Sequence, residues 1–146
     1  MHNHSIIYNK VLNNVVQAIK HTDTDNALKI LKKHKKILGA TDEISLNMRA
    51  GVLYHAIQYS CASLVAFTLS IAPSPDIHFY RLYGYTPIAL AIEKNAKEML
   101  PLLYPKSNKN FALHAAVESK QNHIVSALRD HCCFSPKLLQ HLGLSC

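Results

Sequence analysis

The sequence predicts an all-α chain of short helices joined in pairs by tight loops. Three observations carry that prediction. Apolar residues cluster at helical spacing in short blocks, such as Ile88, Leu90, Ala91 and Ile92. Only four glycines occur among 146 residues, and no stretch alternates apolar with polar side chains, which speaks against sheet. Helix-starting and helix-stopping residues punctuate the blocks: Thr86-Pro87 before one, Asn95 after it, Ser135-Pro136 and Gly143 around another.

Taken in order, the first unit covers about residues 8–40. Val15, Ala18 and Ile19 face inward on its first helix, and Ala27, Leu28, Ile30 and Leu31 on its second. The loop through Thr22-Asp23-Thr24-Asp25 reads as about one residue longer than its counterparts, with Asp25 as the helix cap. The second unit, 46–76, opens with Leu53-Tyr54-His55-Ala56, turns at Ser60 and closes with Leu64, Val65 and Phe67; Cys61 starts its outer helix as a small buried residue. A long connection follows, Ala72-Pro73-Ser74-Pro75 through Tyr83, whose two prolines predict an ordered, extended path.

The third unit, 81–105, is the best formed. Gly84 permits a turn with positive φ, Thr86 caps the helix and Pro87 takes its first position. Asn95 ends that helix, and Met99, Leu100, Leu102 and Leu103 form the stripe of the next, with Pro101 in its first turn. The fourth unit, 106–131, follows a short loop through Pro105-Lys106-Ser107-Asn108. It places Leu113-His114-Ala115-Ala116 where the third has Ile88-Ala89-Leu90-Ala91, Lys120 for Asn95, and Ile124, Val125 and Leu128 in the second helix. A final helix, 135–143, is capped by Ser135, begun by Pro136 and stopped by Gly143; it covers the open end of the stack.

Gly84, Thr86, Pro87, Ile88, Ala91, Leu102 and Leu103 together resemble an ankyrin repeat, whose motif runs Gly-x-Thr-Pro-Leu-His-x-Ala before a Leu-rich second helix. Ala89 replaces the usual His. The fourth unit keeps Leu-His-x-Ala but has Asn110-Phe111 in place of Thr-Pro. The second matches in spacing and the first is weaker still, so the resemblance spans about residues 8–130. Leu53 and Ile88 lie 35 residues apart, near the repeat of about 33, whereas Ile88 and Leu113 lie only 25 apart.

The resemblance implies one domain over 1–146: an α-solenoid of about four ankyrin-like helix–turn–helix units with a C-terminal capping helix. It also implies a non-catalytic protein–protein interaction module, with a concave face lined by inner helices and the loops before them. Candidate partner contacts are Asn47, Met48 and Ala50; Gln58 and Tyr59; Arg81, Leu82, Tyr83 and Tyr85; Glu93 and Lys94; and Glu118 and Ser119. Tyr and Arg dominate interface hot spots, so exposed Tyr83 and Tyr85 beside Arg81 are the leading candidates, while Phe79 packs the loop down. His114 stands at the motif's own His, whose implied role is to tie the turn. Small degenerate ankyrin proteins resemble those that intracellular bacteria deliver into host cells or that viruses encode.

The charge of +7 favours an acidic partner. Lys29, Lys32, Lys33, Lys35 and Lys36 fall on one predicted helix; the alternative function is binding of an anionic surface, membrane or nucleic acid, through Lys29, Lys32, Lys33 and Lys36. The cluster has no Arg and no interleaved aromatics, so it reads first as a solvated face. The four cysteines show no CxxC spacing and read as free thiols of a reducing compartment. A second alternative is a thiol enzyme at Cys132/Cys133 with His131 or His123 as base. No GxSxG, HExxH or Gly-rich phosphate loop occurs, so the reading is not an enzyme and needs no cofactor. His2 and His4 fall in a polar start expected to be mobile, His131, Cys132, Cys133 and His141 match no standard spacing, and no metal is expected. With no secretory pattern and no bilayer-length apolar run, the expectation is a monomer in the cytoplasm or delivered into a host cytosol.

Overall fold

Every element among the described residues is helical. The computed structural model describes residues 2–71 and 74–145, with side chains from Ile6 onward. The helices are α1 His2–Lys20, α2 Thr24–Lys33, α3 Lys35–Leu38, α4 Glu43–Gln58, α5 Ala62–Ser70, α6 Asp76–Tyr83, α7 Pro87–Glu93, α8 Leu100–Leu103, α9 Lys109–Glu118, α10 Asn122–His131 and α11 Pro136–His141; a 3₁₀ turn, Lys97–Met99, leads into α8.

Four loops of identical construction set the architecture. Each has three residues, of which the middle one is left-handed: Thr22, Ser60, Asn95 and Lys120, with φ of 57°, 55°, 57° and 57°. The next residue's N–H reaches back to an alanine carbonyl: Asp23 to Ala18, Cys61 to Ala56 and Ala96 to Ala91 at 2.8 Å, and Gln121 to Ala116 at 2.9 Å. These bonds satisfy carbonyls that a helix end would otherwise leave without partners. Seven residues before each left-handed residue stands an apolar anchor, Val15, Leu53, Ile88 or Leu113, at most 1% exposed. Those anchors and the alanines share one helix face and form the centre of the core.

The first helices of successive pairs pack on one another, α1 on α4, α4 on α7 and α7 on α9, while α2 meets α5 and α5 meets α8 in a second layer. Gly51 lets α1 approach α4: a Cβ there would stand 3.2 Å from a methyl of Leu12. Arg49 is buried and its Nη1 donates to the carbonyls of Leu38 and Ala40 at 2.7 and 2.9 Å, tying the end of α3 to α4. Thr86 caps α7 and Asn108 caps α9, where Asn108 Oδ1 accepts from the N–H of Asn110 at 2.8 Å and of Phe111 at 3.1 Å. Counted back from the left-handed residues Asn95 and Lys120, that cap starts α9 three residues earlier than Thr86 starts α7, so Thr-Pro is not needed there. Ser135 caps α11, and Gly143 at φ 75° closes it.

Several expectations are corrected. The first-unit loop is not longer than the others, and its cap is Asp23 rather than Asp25: Asp23 Oδ1 accepts from Asn26 N–H at 3.2 Å. The polar start is helical from His2, although the side chains of His2 and His4 lie outside the described residues. Residues 76–83 are not extended but form α6, which Pro75 introduces with an αR backbone. The lysines do not share one helix; His34 separates α2 from α3. Cys61 is only half-buried.

Candidate functional site

Helix α6 is the element that departs most from a plain helix-pair arrangement. Its sequence puts Phe79 and Tyr83 on one face at i and i+4, against the first-helix layer. Phe79 is wholly buried. Tyr83 stacks on Tyr54 of α4 with centroids 4.5 Å apart and lies 4.9 Å from Phe79, and Tyr85 meets Phe79 edge-on at 6.4 Å. Burial and the neighbouring Tyr54 hold the phenols of Tyr83 and Tyr85 above the usual range.

Polar bonds fix the two ends of this segment. At its start, buried Asp76 accepts from the Ser107 hydroxyl at 2.5 Å and the Asn108 N–H at 2.7 Å. Burial raises the Asp76 carboxyl above its ordinary 3.8, and these two bonds only partly offset it. At the far end, Gly84 turns the chain with φ 77°, and the Gln121 amide donates to its carbonyl at 3.1 Å. Between them, the Tyr80 and Ser119 hydroxyls lie 2.9 Å apart and Tyr80 meets Phe111 edge-on. The helix is thus held to α4, the loop before α9, and the α9–α10 turn.

What α6 leaves outward is Ile77, 58% exposed, Leu82, 44% exposed, and Arg81. His78 sits beside them, its Nε2 2.5 Å from Asn47 Oδ1; burial and then Arg81 push its imidazole below the usual range. Gln58 and Tyr59 end α4, Glu93 and Lys94 end α7, and Glu118 and Ser119 end α9, all exposed.

The structure therefore separates the sequence candidates. Arg81, Leu82, Gln58, Tyr59, Glu93, Lys94, Glu118, Ser119 and Asn47 reach the surface. Met48, 2% exposed, and Ala50 do not, because α4 turns that face onto the core, and both are withdrawn as contacts. Tyr83 and Tyr85 are half-buried in the aromatic cluster rather than free. His114 does not tie its turn; it is exposed and its Nε2 lies 3.4 Å from Glu118 one helical turn on. Ile77 and Asp76 are not among the sequence candidates, because the two prolines predict an extended connection there; Pro75 just ahead of an acidic residue and an i, i+4 aromatic pair are the local signal of α6.

The contacts of the cysteine region involve a phenol and a lysine. Cys132 Sγ lies 3.6 Å from the Tyr104 hydroxyl, whose pKa is pushed up to about 12 by burial and that contact, and Lys109 Nζ donates to the Cys133 carbonyl at 2.6 Å. Neither thiol bonds a histidine among the described residues. No group of three or more His, Cys, Asp or Glu positioned for a metal occurs among them either. Among the same residues, no helix is long and apolar enough to cross a membrane. In comparisons with known proteins, no family model, no curated protein and no solved structure matches the chain.

Proposed function

We propose that the chain is a non-catalytic protein-interaction module, an ankyrin-like stack of four helix–loop–helix units closed by α11. The four identical loops support the stack, and the exposed face of α6 is the observation that supports the binding role. That helix is anchored by buried bonds on one side and presents Ile77, Arg81 and Leu82 to solvent on the other. Apolar side chains beside an arginine on a rigid element match the make-up of an interface anchor. The exposed ends of α4, α7 and α9 extend the surface. The partner in this reading is another protein, met with acidic or aromatic groups opposite Arg81.

The test is affinity capture on immobilised protein from a lysate, followed by the same capture with Arg81→Glu/Leu82→Glu. Both side chains are exposed, so the variant should keep the wild-type thermal melt and lose the retained protein. Undiminished retention by the folded variant would remove α6 from the binding surface.

A further inference from the structure

We propose that the concavity between α3 and the end of α5 is a binding site for a compact polyphosphorylated anion. The concavity measures about 600 Å³, and Lys32, Lys33, Lys35 and Lys36 line it. This site is separate from the α6 surface. It belongs to the second layer, whereas α6 packs on α4 and α9.

The break at His34 creates it. On one continuous helix, Lys29, Lys32, Lys33 and Lys36 would share a face and Lys35 would point elsewhere. Instead His34 leaves the helical path, with φ −108° and ψ 22°, and α3 begins anew. Lys35 then joins the lining and Lys29 drops out of it. Four exposed lysines from two helices thus line one hollow.

None of the four is ion-paired; the two ion pairs among the described residues both involve histidines. The C-terminal ends of α2 and α3 favour nearby cations, which accounts for one or two of them. It does not account for four like charges left together without a carboxylate. A bound multivalent anion removes that repulsion. The floor is also left open. Gly39 has an ordinary αR backbone at φ −80°, so nothing in its conformation demands glycine. A Cβ there would meet the Lys35 carbonyl at 3.4 Å and the Ile71 carbonyl at 3.8 Å, both ordinary contacts, and would add bulk to the lining.

The chemistry selects clustered phosphates. Lysine meets phosphate oxygens as a compact point charge with no fixed planar geometry, and four such charges suit an anion that carries several negative charges close together. No aromatic or arginine side chain lines the hollow, so it offers no surface on which bases could stack. An open hollow that holds four lysines from two helices within one concavity fits a few phosphates held close together, not the extended track that a nucleic-acid strand needs. Such an anion is either a free polyphosphate or a phosphorylated lipid headgroup, and both present the same groups.

Calorimetric titration with inorganic triphosphate at about 0.15 M salt tests the site. Triphosphate should bind, each single Lys→Gln change at 32, 33, 35 or 36 should weaken it roughly tenfold, and the fourfold variant should abolish binding. Lys29→Gln should bind as wild type does. Removing mutually repelling cations leaves folding intact, which a thermal melt verifies. Co-sedimentation with vesicles holding phosphatidylinositol bisphosphate, against vesicles of equal charge made with phosphatidylserine, identifies the source. Preference for the bisphosphate, competed by triphosphate, assigns a headgroup; triphosphate binding without vesicle binding assigns a free anion. The proposal is overturned if the fourfold variant binds triphosphate as wild type does. Equal binding to both vesicles, or tighter binding of a short single-stranded oligonucleotide, would equally overturn it. Protein capture through α6 is read separately and does not bear on these results.

Discussion

Asp76→Ala probes whether α6 is held by its first residue. The carboxylate is 3% exposed and Ser107 is 5% exposed, so water does not replace the lost acceptor. The Ser107 hydroxyl at 2.5 Å and the Asn108 N–H at 2.7 Å both lose their partner. Each orphaned donor costs about 1–3 kcal/mol, and relief of one desolvated charge returns part of that, for a net loss of about 3 kcal/mol. For a chain of this length that lowers Tm by roughly 10 °C. Asp76→Asn keeps one carbonyl acceptor and should cost only about 1 kcal/mol. The pH dependence has a definite sign. Because burial raises the folded carboxyl above 3.8, the folded state holds the proton more tightly than the unfolded chain. Stability from this group is therefore greatest below that value and declines as pH rises through the raised folded pKa. The gap between wild type and Asp76→Asn should shrink from pH 4 toward neutrality, the reverse of a salt-bridged carboxylate. Urea unfolding followed by circular dichroism measures both effects. A loss under about 1 kcal/mol for Asp76→Ala would refute the clamp, and a gap that widens with pH would refute burial as the dominant influence on the carboxyl.

Three further substitutions test the packing and the loops. Tyr83→Ala removes a ring stacked on Tyr54 and touching Phe79, and should cost about 2–3 kcal/mol in a thermal or urea melt, so an unchanged Tm would contradict the aromatic cluster. For the same reason Tyr83→Ala with Tyr85→Ala confounds binding with stability, and Arg81 and Leu82 are the cleaner probes. Thr22→Gly should stabilise by about 0.5–1 kcal/mol, because a β-branched residue is held at φ 57°, while Asn95→Gly should change little, since Asn tolerates that region. Equal responses at the two positions would refute the strain argument.

The helix pairs are legible because an apolar anchor stands seven residues before each turn, and those anchors lie in the core. The loops are less so. Thr22, Ser60, Asn95 and Lys120 share a backbone conformation but no side-chain chemistry, so the first was overlooked and a longer loop was read into its place. Asp23 and Asp25 are equally good caps on paper; the three-residue geometry selects Asp23. His34 gives no sequence sign of a helix break. The convergence of four lysines was therefore unreadable, although their number was plain.

The surface was legible in outline and wrong in detail because two departures from an even repeat were read separately. The connection before the third unit is long, and the one before the fourth is short. In the structure they are one device. The long segment folds as α6, and the short loop supplies the groups that hold it. Asn108 uses its side chain to cap α9 and its own N–H to bind Asp76, while Ser107 beside it donates its hydroxyl to the same carboxylate. Lengthening the short loop would move both donors away from α6, and straightening α6 would leave Ser107 and Asn108 without an acceptor. Asp76 and Ser107 stand 31 residues apart, so no local pattern connects them. The bond nonetheless ties the first residue of α6 to the loop before α9, and in the proposed reading that tether is what holds Ile77, Arg81 and Leu82 in place for a partner.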